Sequence, residues 1–169
     1  MTRKSAAVKT PAAFPAPGHD HQRCSMQAMV HAERVCAARG QKLTSIRAQV
    51  LRALVAQHRP LGAYEIIEAM AGQGPRPAPI TVYRALDFLI ANGLVHRIES
   101  RNAFLACAHD HDQASAVAFL ICEDCGTVGE IAASAFVAQL APSVAKAGFT
   151  PTLSVVEITG QCAHCRHPL

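Results

Sequence analysis

The sequence predicts an α+β protein in which an N-terminal winged helix-turn-helix domain precedes a small α/β domain. Helical periodicity recurs four times before a two-stranded hairpin within residues 25–106. The charge changes sign along the chain: residues 1–106 carry 14 Lys and Arg against 6 Asp and Glu, and residues 107–169 carry 2 against 6. Four of the seven cysteines form two C-x-x-C pairs in the C-terminal half. These observations indicate a basic unit that contacts a polyanion, followed by a unit with paired metal or redox ligands.

The composition favours a folded chain and excludes several classes of protein. Of the 169 residues, 50% are hydrophobic and 17% are charged, which excludes wholesale disorder and collagen-like or coiled-coil architectures. No apolar stretch approaches the ~20 residues that span a bilayer, and prolines interrupt the basic N-terminal segment. We therefore expect a cytoplasmic protein with no membrane partner and no secretory signal. The Ala- and Pro-rich residues 1–24 are expected to form a flexible tail.

The helical patterns of the basic half are separated by residues that end or begin helices. The first pattern begins near residue 25 and stops at Gly40, and Thr44 is placed to N-cap the second. A Pro-Leu-Gly break precedes a short third helix. Residues 72–79, which are rich in Gly and Pro, predict a loop, and the fourth helix is expected over residues 81–92.

Two short β-rich segments, residues 94–98 and 103–106, follow the fourth helix and are separated by a polar turn. This spacing predicts a β-hairpin. Helices followed by a hairpin are the arrangement of a winged helix, in which the fourth helix here would enter the major groove of DNA. We therefore assign residues 25–106 to a DNA-binding domain.

Exposed side chains of this domain are candidates for DNA contact. Tyr83 and Arg84 lie near the start of the fourth helix, where Arg can donate to guanine and Tyr can pack on a thymine methyl group. Thr81 and the helix N-terminus suit a phosphate, and Arg101 in the hairpin turn is a second phosphate candidate. Tyr64, on the outer face of the third helix, completes the set. The alternative is that these side chains lie on an ordinary solvated surface.

The acidic half, residues 107–169, begins with a polar loop and then alternates strands with one helix. Strands are expected over residues 116–121, 128–131 and 153–159. A helix is expected over residues 134–148, with Pro142 predicted to kink or break it.

Each C-x-x-C pair follows a predicted strand, so each places two thiolates near one point. Four thiolates complete the tetrahedral shell of a structural zinc ion and leave no open position for a substrate. The alternative is a pair of redox-active dithiols. The predicted ligands are Cys122, Cys125, Cys162 and Cys165.

A second group of metal-ligand residues is spread over both predicted domains. It comprises His96 in the hairpin, Cys107 at the domain junction, His109 and His111 in the following loop, and Glu130 on a strand. One thiolate among harder donors fits Zn(II) better than Fe(II) or Mn(II). An ion bound by both domains would fix their relative orientation. No nucleophile–base pair or open catalytic metal site accompanies these residues, so we expect neither an enzyme nor a small-molecule substrate.

Six short motifs lie in order between residues 26 and 166. They are Leu43-Thr44-x-x-Arg47-x-x-Val50-Leu51, Ala63-Tyr64, Thr81-Val82-Tyr83-Arg84-Ala85-Leu86, Gly93-Leu94-Val95-His96-Arg97, Cys122-x-x-Cys125-Gly126 and Cys162-x-x-Cys165. In these motifs the sequence resembles the ferric uptake regulator family. The runs TVYRALDFL and GLVHRIES, with a cysteine downstream, most resemble its zinc uptake regulator branch.

The resemblance implies a homodimeric transcriptional repressor of zinc uptake and homeostasis genes. In that branch zinc acts as co-repressor and the operator is an AT-rich palindrome of double-stranded DNA. The C-terminal domain would dimerise, and each chain would hold one structural zinc ion and at least one regulatory ion. The implied sensor ligands are His96, Cys107, Glu130 and a loop histidine. Ser115 stands where close relatives place that histidine, so the loop ligand is His109 or His111. We assign His111, because its longer reach from Cys107 eases the ring geometry, with His109 as the alternative.

Two other functions remain open at the level of sequence. An iron- or peroxide-responsive regulator of the same family would share the fold, although the thiolate of Cys107 favours zinc. A zinc-storage or redox protein would use the C-x-x-C pairs, but it would leave the basic half of the chain unexplained.

Overall fold

The computed structural model describes residues 13–14, 21–57, 59–73, 75–107 and 116–166. In chain order the helices are α1 (His21–Ala38), α2 (Ser45–Val55), α3 (Ala63–Met70), α4 (Pro79–Ala91), α5 (Ser134–Lys146) and α6 (Ala163–Arg166). The strands are β1 (Val95–Ile98), β2 (Ala103–Ala106), β3 (Val117–Cys122), β4 (Val128–Ala132) and β5 (Val156–Gly160). The predicted α+β class and the order of its elements are confirmed. Within the described residues no helix is long and apolar enough to cross a bilayer.

Helices α1 to α4 pack around one apolar core. Its buried side chains recur at helical spacing along the helices, among them Leu51, Leu54, Ile66, Leu86 and Leu89. Such side chains contribute about 1.5–3 kcal/mol each when removed from water, so this core holds the helical unit together.

Three helix boundaries in this unit differ from the prediction. The first helix begins at His21, so its first turn occupies the end of the predicted tail; most of residues 1–24 lie outside the described residues. The loop was predicted over residues 72–79, and both of these bounds were wrong. A short 3₁₀ turn occupies Ala71–Gln73, and α4 already begins at Pro79. Proline is favourable in the first turn of a helix, where its missing N–H would have no intrahelical partner.

The hairpin of β1 and β2 is antiparallel, with Val95 opposite Ala106 and Ile98 opposite Ala103. A 3₁₀ turn, Glu99–Arg101, joins the strands, and Asn102 closes it with a φ of 45°. Leu61 pairs with Phe104 by two backbone hydrogen bonds, which attach the hairpin to the helical unit.

The C-terminal strands form a sheet in the order β4-β3-β5, in which β3 runs antiparallel to β4 and parallel to β5. Strand β5 begins at Val156, three residues later than predicted. Pro142 was predicted to kink or break the helix; α5 continues through it, so the break does not occur. Proline removes one hydrogen bond to the carbonyl of Ala138, and because α5 is largely exposed at that point, water can satisfy that oxygen.

A second, smaller core lies between the hairpin and this sheet. It combines Ile98 and Leu105 from the hairpin with Phe119, Ile121 and Val128 from the sheet. Side chains alternate along a strand, so Val95 and Phe104 lie on the opposite face of the hairpin. On that face they pack into the helical core. The hairpin therefore belongs to both cores and joins the two halves of the chain.

Candidate metal centres and nucleic-acid interface

The two C-x-x-C pairs meet in one cluster. Cys122 ends β3, Cys125 follows in a tight turn, Cys162 follows β5 and Cys165 lies in α6. The turn is closed by the N–H of Gly126, which donates to the carbonyl of Cys122 at 3.0 Å, and Gly126 has a φ of 73°. Glycine adopts this left-handed conformation without the Cβ clash that other residues meet.

The sulfur positions match a tetrahedral metal shell. All four Sγ atoms lie within 4.8 Å of one another. The Sγ atoms of Cys122 and Cys165 are 3.8 Å apart, and those of Cys125 and Cys162 are 3.9 Å apart. A regular tetrahedron with zinc–sulfur bonds of about 2.3 Å has edges of about 3.8 Å, whereas a disulfide joins its sulfurs at about 2 Å. The four residues therefore fit a structural zinc ion.

Hydrogen bonds give the cysteines of this cluster different pKa values. Backbone N–H groups of Cys125 and Cys162 stabilise the thiolate of Cys122 and lower its pKa to about 6. The pKa of Cys165 is raised, chiefly by its hydrogen bond to the side chain of Cys162 and then by burial. Four adjacent sulfurs resist complete deprotonation unless a cation compensates their charge, which is the condition that a bound divalent metal provides.

A second cluster joins the hairpin to the sheet. The ligand atoms of His96 on β1, Cys107 after β2 and Glu130 on β4 lie within 4.8 Å of one another. Glu130 is 8% exposed, and a carboxylate so deeply buried is stable only with charged or hydrogen-bonding partners. An imidazole, a thiolate and a carboxylate at these separations fit a zinc ion. The structure therefore brings together three predicted sensor residues, while His109 and His111 lie outside the described residues.

Local packing orients the second cluster. The ring of His96 packs against that of Phe119 with centroids 5.1 Å apart. Phe119 lies opposite Glu130 in the sheet, so the two side chains share one face. The N–H of Cys107 donates to the carbonyl of Leu94 at 3.0 Å, which holds Cys107 beside the hairpin strands.

The five predicted DNA contacts are all exposed. Helix α4 buries Val82 and Leu86 while it presents Thr81, Tyr83 and Arg84 to solvent. The remaining two are Tyr64, which is 67% exposed on α3, and Arg101, which is exposed in the hairpin turn.

Arg47, a basic residue in one of the six motifs, packs within the helical unit and does not join the exposed predicted DNA contacts. The guanidinium of Arg47 lies 3.4 Å from the centroid of the Phe88 ring and donates to the carbonyl of Lys42 at 2.7 Å. Arg47 therefore braces α2 against α4 rather than extending from the surface.

Sequence reasoning missed two features of this region. Ile80, in the first turn of α4, is 60% exposed beside the predicted base-reading residues. Glu157, on β5, reaches the turn of the hairpin and accepts hydrogen bonds from it. The alternation of β5 was visible in the sequence, but its partner in space was not.

Large apolar side chains stay exposed along α5 and β5. Helix α5, which is described in full, has no fully buried residue, so its apolar side chains stay uncovered within one chain. The exposed apolar side chains of this region, called the apolar face below, are Phe136 and Leu140 on α5, Phe149, Leu153 and Val155 in the segment between α5 and β5, and Ile158 on β5. Large exposed apolar side chains in such number are typical of an interaction surface.

Comparison with known proteins agrees with this architecture. The sequence pattern of the ferric uptake regulator family matches residues 38–159. The chain is 37% identical over 151 residues to the zinc uptake regulation protein of Escherichia coli (strain K12), a match that covers 85% of this chain and 88% of that protein.

Solved structures resemble the fold over most of its length. A zinc uptake regulator complexed with zinc and DNA superposes with a TM-score of 0.79 at 35% identity, covering 84% of this chain and 95% of that one. Holo XcZur superposes with a TM-score of 0.75 at 42% identity, covering 83% and 97%. Apo XcZur reaches only 0.50 at 40% identity and covers 86% and 99%, so the arrangement seen here lies nearer the holo form. The resemblance found in the sequence motifs is thus confirmed, and the chain belongs to the ferric uptake regulator family.

Proposed function

We propose that this chain is a zinc-responsive transcriptional repressor of zinc uptake and homeostasis genes, which binds its operator as a homodimer. The observation that carries the proposal is the cluster of His96, Cys107 and Glu130, because its ligands come from the hairpin, the junction and the C-terminal sheet. An ion held there favours the arrangement in which the hairpin is docked on the sheet. A ligand shifts such an equilibrium only by its differential affinity for the two states.

The regulatory ion in this proposal is zinc. The softest donor of the cluster, the thiolate of Cys107, distinguishes the site from an iron or peroxide sensor built on nitrogen and oxygen ligands. We assign His111, with His109 as the alternative, as the further ligand. Zinc supplies no chemical step here; its role is to stabilise one relative orientation of the two units.

The four-cysteine cluster has a separate, structural role. Cys122, Cys125, Cys162 and Cys165 fill every position of a tetrahedral zinc ion, so the site offers no open coordination position to a substrate. The ion joins the end of β3 to the segment after β5, which links the C-terminal ends of two neighbouring parallel strands. A storage or redox protein would not need the basic residues 1–106 that accompany this cluster.

The proposed DNA contacts divide into two kinds. Tyr83 and Arg84 on α4 read base edges of the operator, for which we propose an AT-rich palindrome. Thr81, Tyr64 and Arg101 contact the sugar–phosphate backbone and fix the position of the helix. The net charge of residues 1–106 supports this role, because 14 basic residues oppose 6 acidic ones.

The apolar face on α5 and β5 is the proposed homodimer interface. Strand β5 lies at the edge of its sheet, and Ile158 on it is 51% exposed. A second copy would cover these side chains and present two α4 helices to the two halves of a palindrome.

The test compares operator binding at buffered zinc concentrations with metal content. Cys107→Ser should keep the four-cysteine zinc and the dimer but lose zinc-dependent binding, as should His96→Ala. His111→Ala should have a larger effect than His109→Ala. Cys24→Ser, which alters a cysteine on α1 outside both clusters, is the matched control. A Cys107→Ser protein with normal zinc-dependent binding would exclude Cys107 from the sensor. Binding driven equally by Fe(II) or Mn(II) would favour the alternative regulator.

A further inference from the structure

A carboxylate of the C-terminal sheet holds the turn of the hairpin. Glu157 on β5 accepts a hydrogen bond from the N–H of Glu99 at 2.7 Å through Oε1 and another from the N–H of Ser100 at 3.1 Å through Oε2. Both carboxylate oxygens are used, and each is bonded to a backbone group of the other half of the chain. Such charge-assisted pairs fix an orientation as well as a distance.

The register of the sheet relates Glu157 to the metal cluster. Glu130, Phe119 and Glu157 lie opposite one another on β4, β3 and β5. Residues that are opposite in neighbouring strands project from the same face. Every member of this row contacts the hairpin: Glu130 lies with His96, Phe119 packs on the ring of His96, and Glu157 holds the turn.

The row of Glu130, Phe119 and Glu157 contacts both ends of the hairpin. The cluster of His96 and Cys107 lies at the end where the strands leave the helical unit. Glu157 lies at the opposite end, where Arg101, the proposed phosphate contact, follows directly after the turn residues that Glu157 binds. The guanidinium of Arg101 is also close to the turn between Cys122 and Gly126, since a Cβ on Gly126 would be 3.9 Å from its Nη1.

We propose that Glu157 is a positioning residue for DNA binding, which sets the orientation of the hairpin turn so that Arg101 meets the phosphate backbone. The proposal rests on the proposed function above. Glu157 itself touches no DNA and no metal; it acts through the backbone of Glu99 and Ser100. Zinc binding governs one end of the hairpin and Glu157 governs the other.

Internal contacts of the hairpin cannot replace this one. Arg97 pairs with the carboxylate of Glu99 at 3.3 Å and donates to the side chain of Asn102 at 2.9 Å. These bonds shape the turn but lie within the hairpin itself, so they do not relate it to the sheet. Without Glu157 the turn would keep its form and lose its hydrogen bonds to the sheet, while Ile98 and Leu105 would still pack against the sheet.

The charge of Glu157 and its proposed positioning role predict opposite effects on operator binding when the carboxylate is removed, which makes the test decisive. Removing a negative charge from a DNA-binding protein should strengthen its attraction to a polyanion. We expect instead that Glu157→Ala weakens operator binding by roughly tenfold, which corresponds to about 1.4 kcal/mol. Glu157→Gln keeps one carbonyl oxygen and should fall between the wild type and the alanine variant. Glu33→Ala, which removes an exposed carboxylate on α1, is the charge-matched control.

The experiment uses the full-length, zinc-loaded protein and a duplex selected from a random library by the wild type. Operator affinity is measured across a series of salt concentrations, together with zinc content, dimerisation and amide hydrogen exchange. Loss of one phosphate contact per hairpin lowers the slope of log K against log salt by about 0.9 for each hairpin. A mere loss of folded protein would lower the affinity without changing that slope. Exchange at Glu99 and Ser100 should accelerate in Glu157→Ala while zinc content stays unchanged.

Each outcome decides the proposal. Unchanged exchange at the turn, an unchanged salt slope, or loss of zinc or of the dimer in parallel with affinity would overturn it. If the wild type selects no duplex at any zinc concentration, the proposed function fails. The exchange measurement then still decides whether Glu157 holds the hairpin turn, so the two failures are distinguishable.

Discussion

The four-cysteine cluster makes the strongest prediction for stability. Cys125→Ser removes one thiolate while changing the apolar packing little, because Cys125 is the exposed member of the cluster and Cys122 and Cys162 are buried. We expect the variant to lose one tightly bound zinc ion per chain and, with it, the folded C-terminal unit. The hairpin and the helices should keep their own core.

The expected magnitude follows from how little else holds this unit together. Among residues 116–166, the large apolar side chains that are buried are Phe119, Ile121 and Val128. At about 1.5–3 kcal/mol each, they supply roughly 5–9 kcal/mol before any entropic cost. Structural zinc in small domains binds with an apparent free energy of about 10–16 kcal/mol, which appears as folding free energy. A structural ion in the four-cysteine cluster would therefore be the larger contribution to this unit, and its loss should unfold it.

The assay combines native mass spectrometry, which counts zinc ions per chain, with thermal unfolding and amide signals from β3. Cys24→Ser serves as control, since that side chain lies outside both metal clusters. The control should keep its zinc content and melting temperature. A Cys125→Ser protein that unfolds at the wild-type temperature with the wild-type zinc content would refute the assignment of a structural ion.

Further predictions concern operator binding, dimerisation and the turn at Gly126. Arg84→Ala should weaken specific binding by ~1–3 kcal/mol per half-site and relax discrimination at one base pair, measured by competition between operator variants. Arg101→Ala should instead weaken all sequences alike and flatten the salt dependence; identical behaviour of the two variants would remove Arg84 as a base reader. Ile158→Asp should give a monomer in sedimentation that retains the four-cysteine zinc, and an unchanged dimer would place the interface elsewhere. Gly126→Ala imposes strain of about 1–2 kcal/mol at a φ of 73°, so its melting temperature should fall; an unchanged value would mean that the turn relaxes.

Local patterns predicted most of the fold because the information they carry is local. The burial of Leu51, Leu54 and Leu86 follows from 3.6-residue periodicity, and the tight turn at Gly126 follows from the C-x-x-C-G spacing. Two of the errors involved proline. Pro79 opens α4 and Pro142 lies within α5, since a proline in a first turn or on an exposed helix costs less than one in a buried helix interior.

The candidate sites were predictable to the extent that chemistry identifies their members. Four cysteines in two pairs imply one cluster, and the structure brings them within 4.8 Å. His96, Cys107 and Glu130 could be grouped by ligand type and by the family resemblance. Glu157 offered no such signal, because its role depends on the pairing of β5 with β3 and on a hairpin turn more than fifty residues away. Long-range register decides contacts of this kind, and a single sequence does not contain it.

The size of the second core is compatible with the proposed control of the orientation of the two halves by a metal ion. The hairpin buries Ile98 and Leu105 against the sheet. These two side chains contribute about 3–6 kcal/mol, a value that the cost of ordering the junction can largely offset. Moving an equilibrium from mostly undocked to mostly docked requires about 5.5 kcal/mol of differential binding free energy. An ion bound by His96, Cys107 and Glu130 together can supply that amount, because separating the hairpin from the sheet removes ligands from the ion. A larger core would dock the hairpin permanently, and zinc would then have no equilibrium to shift.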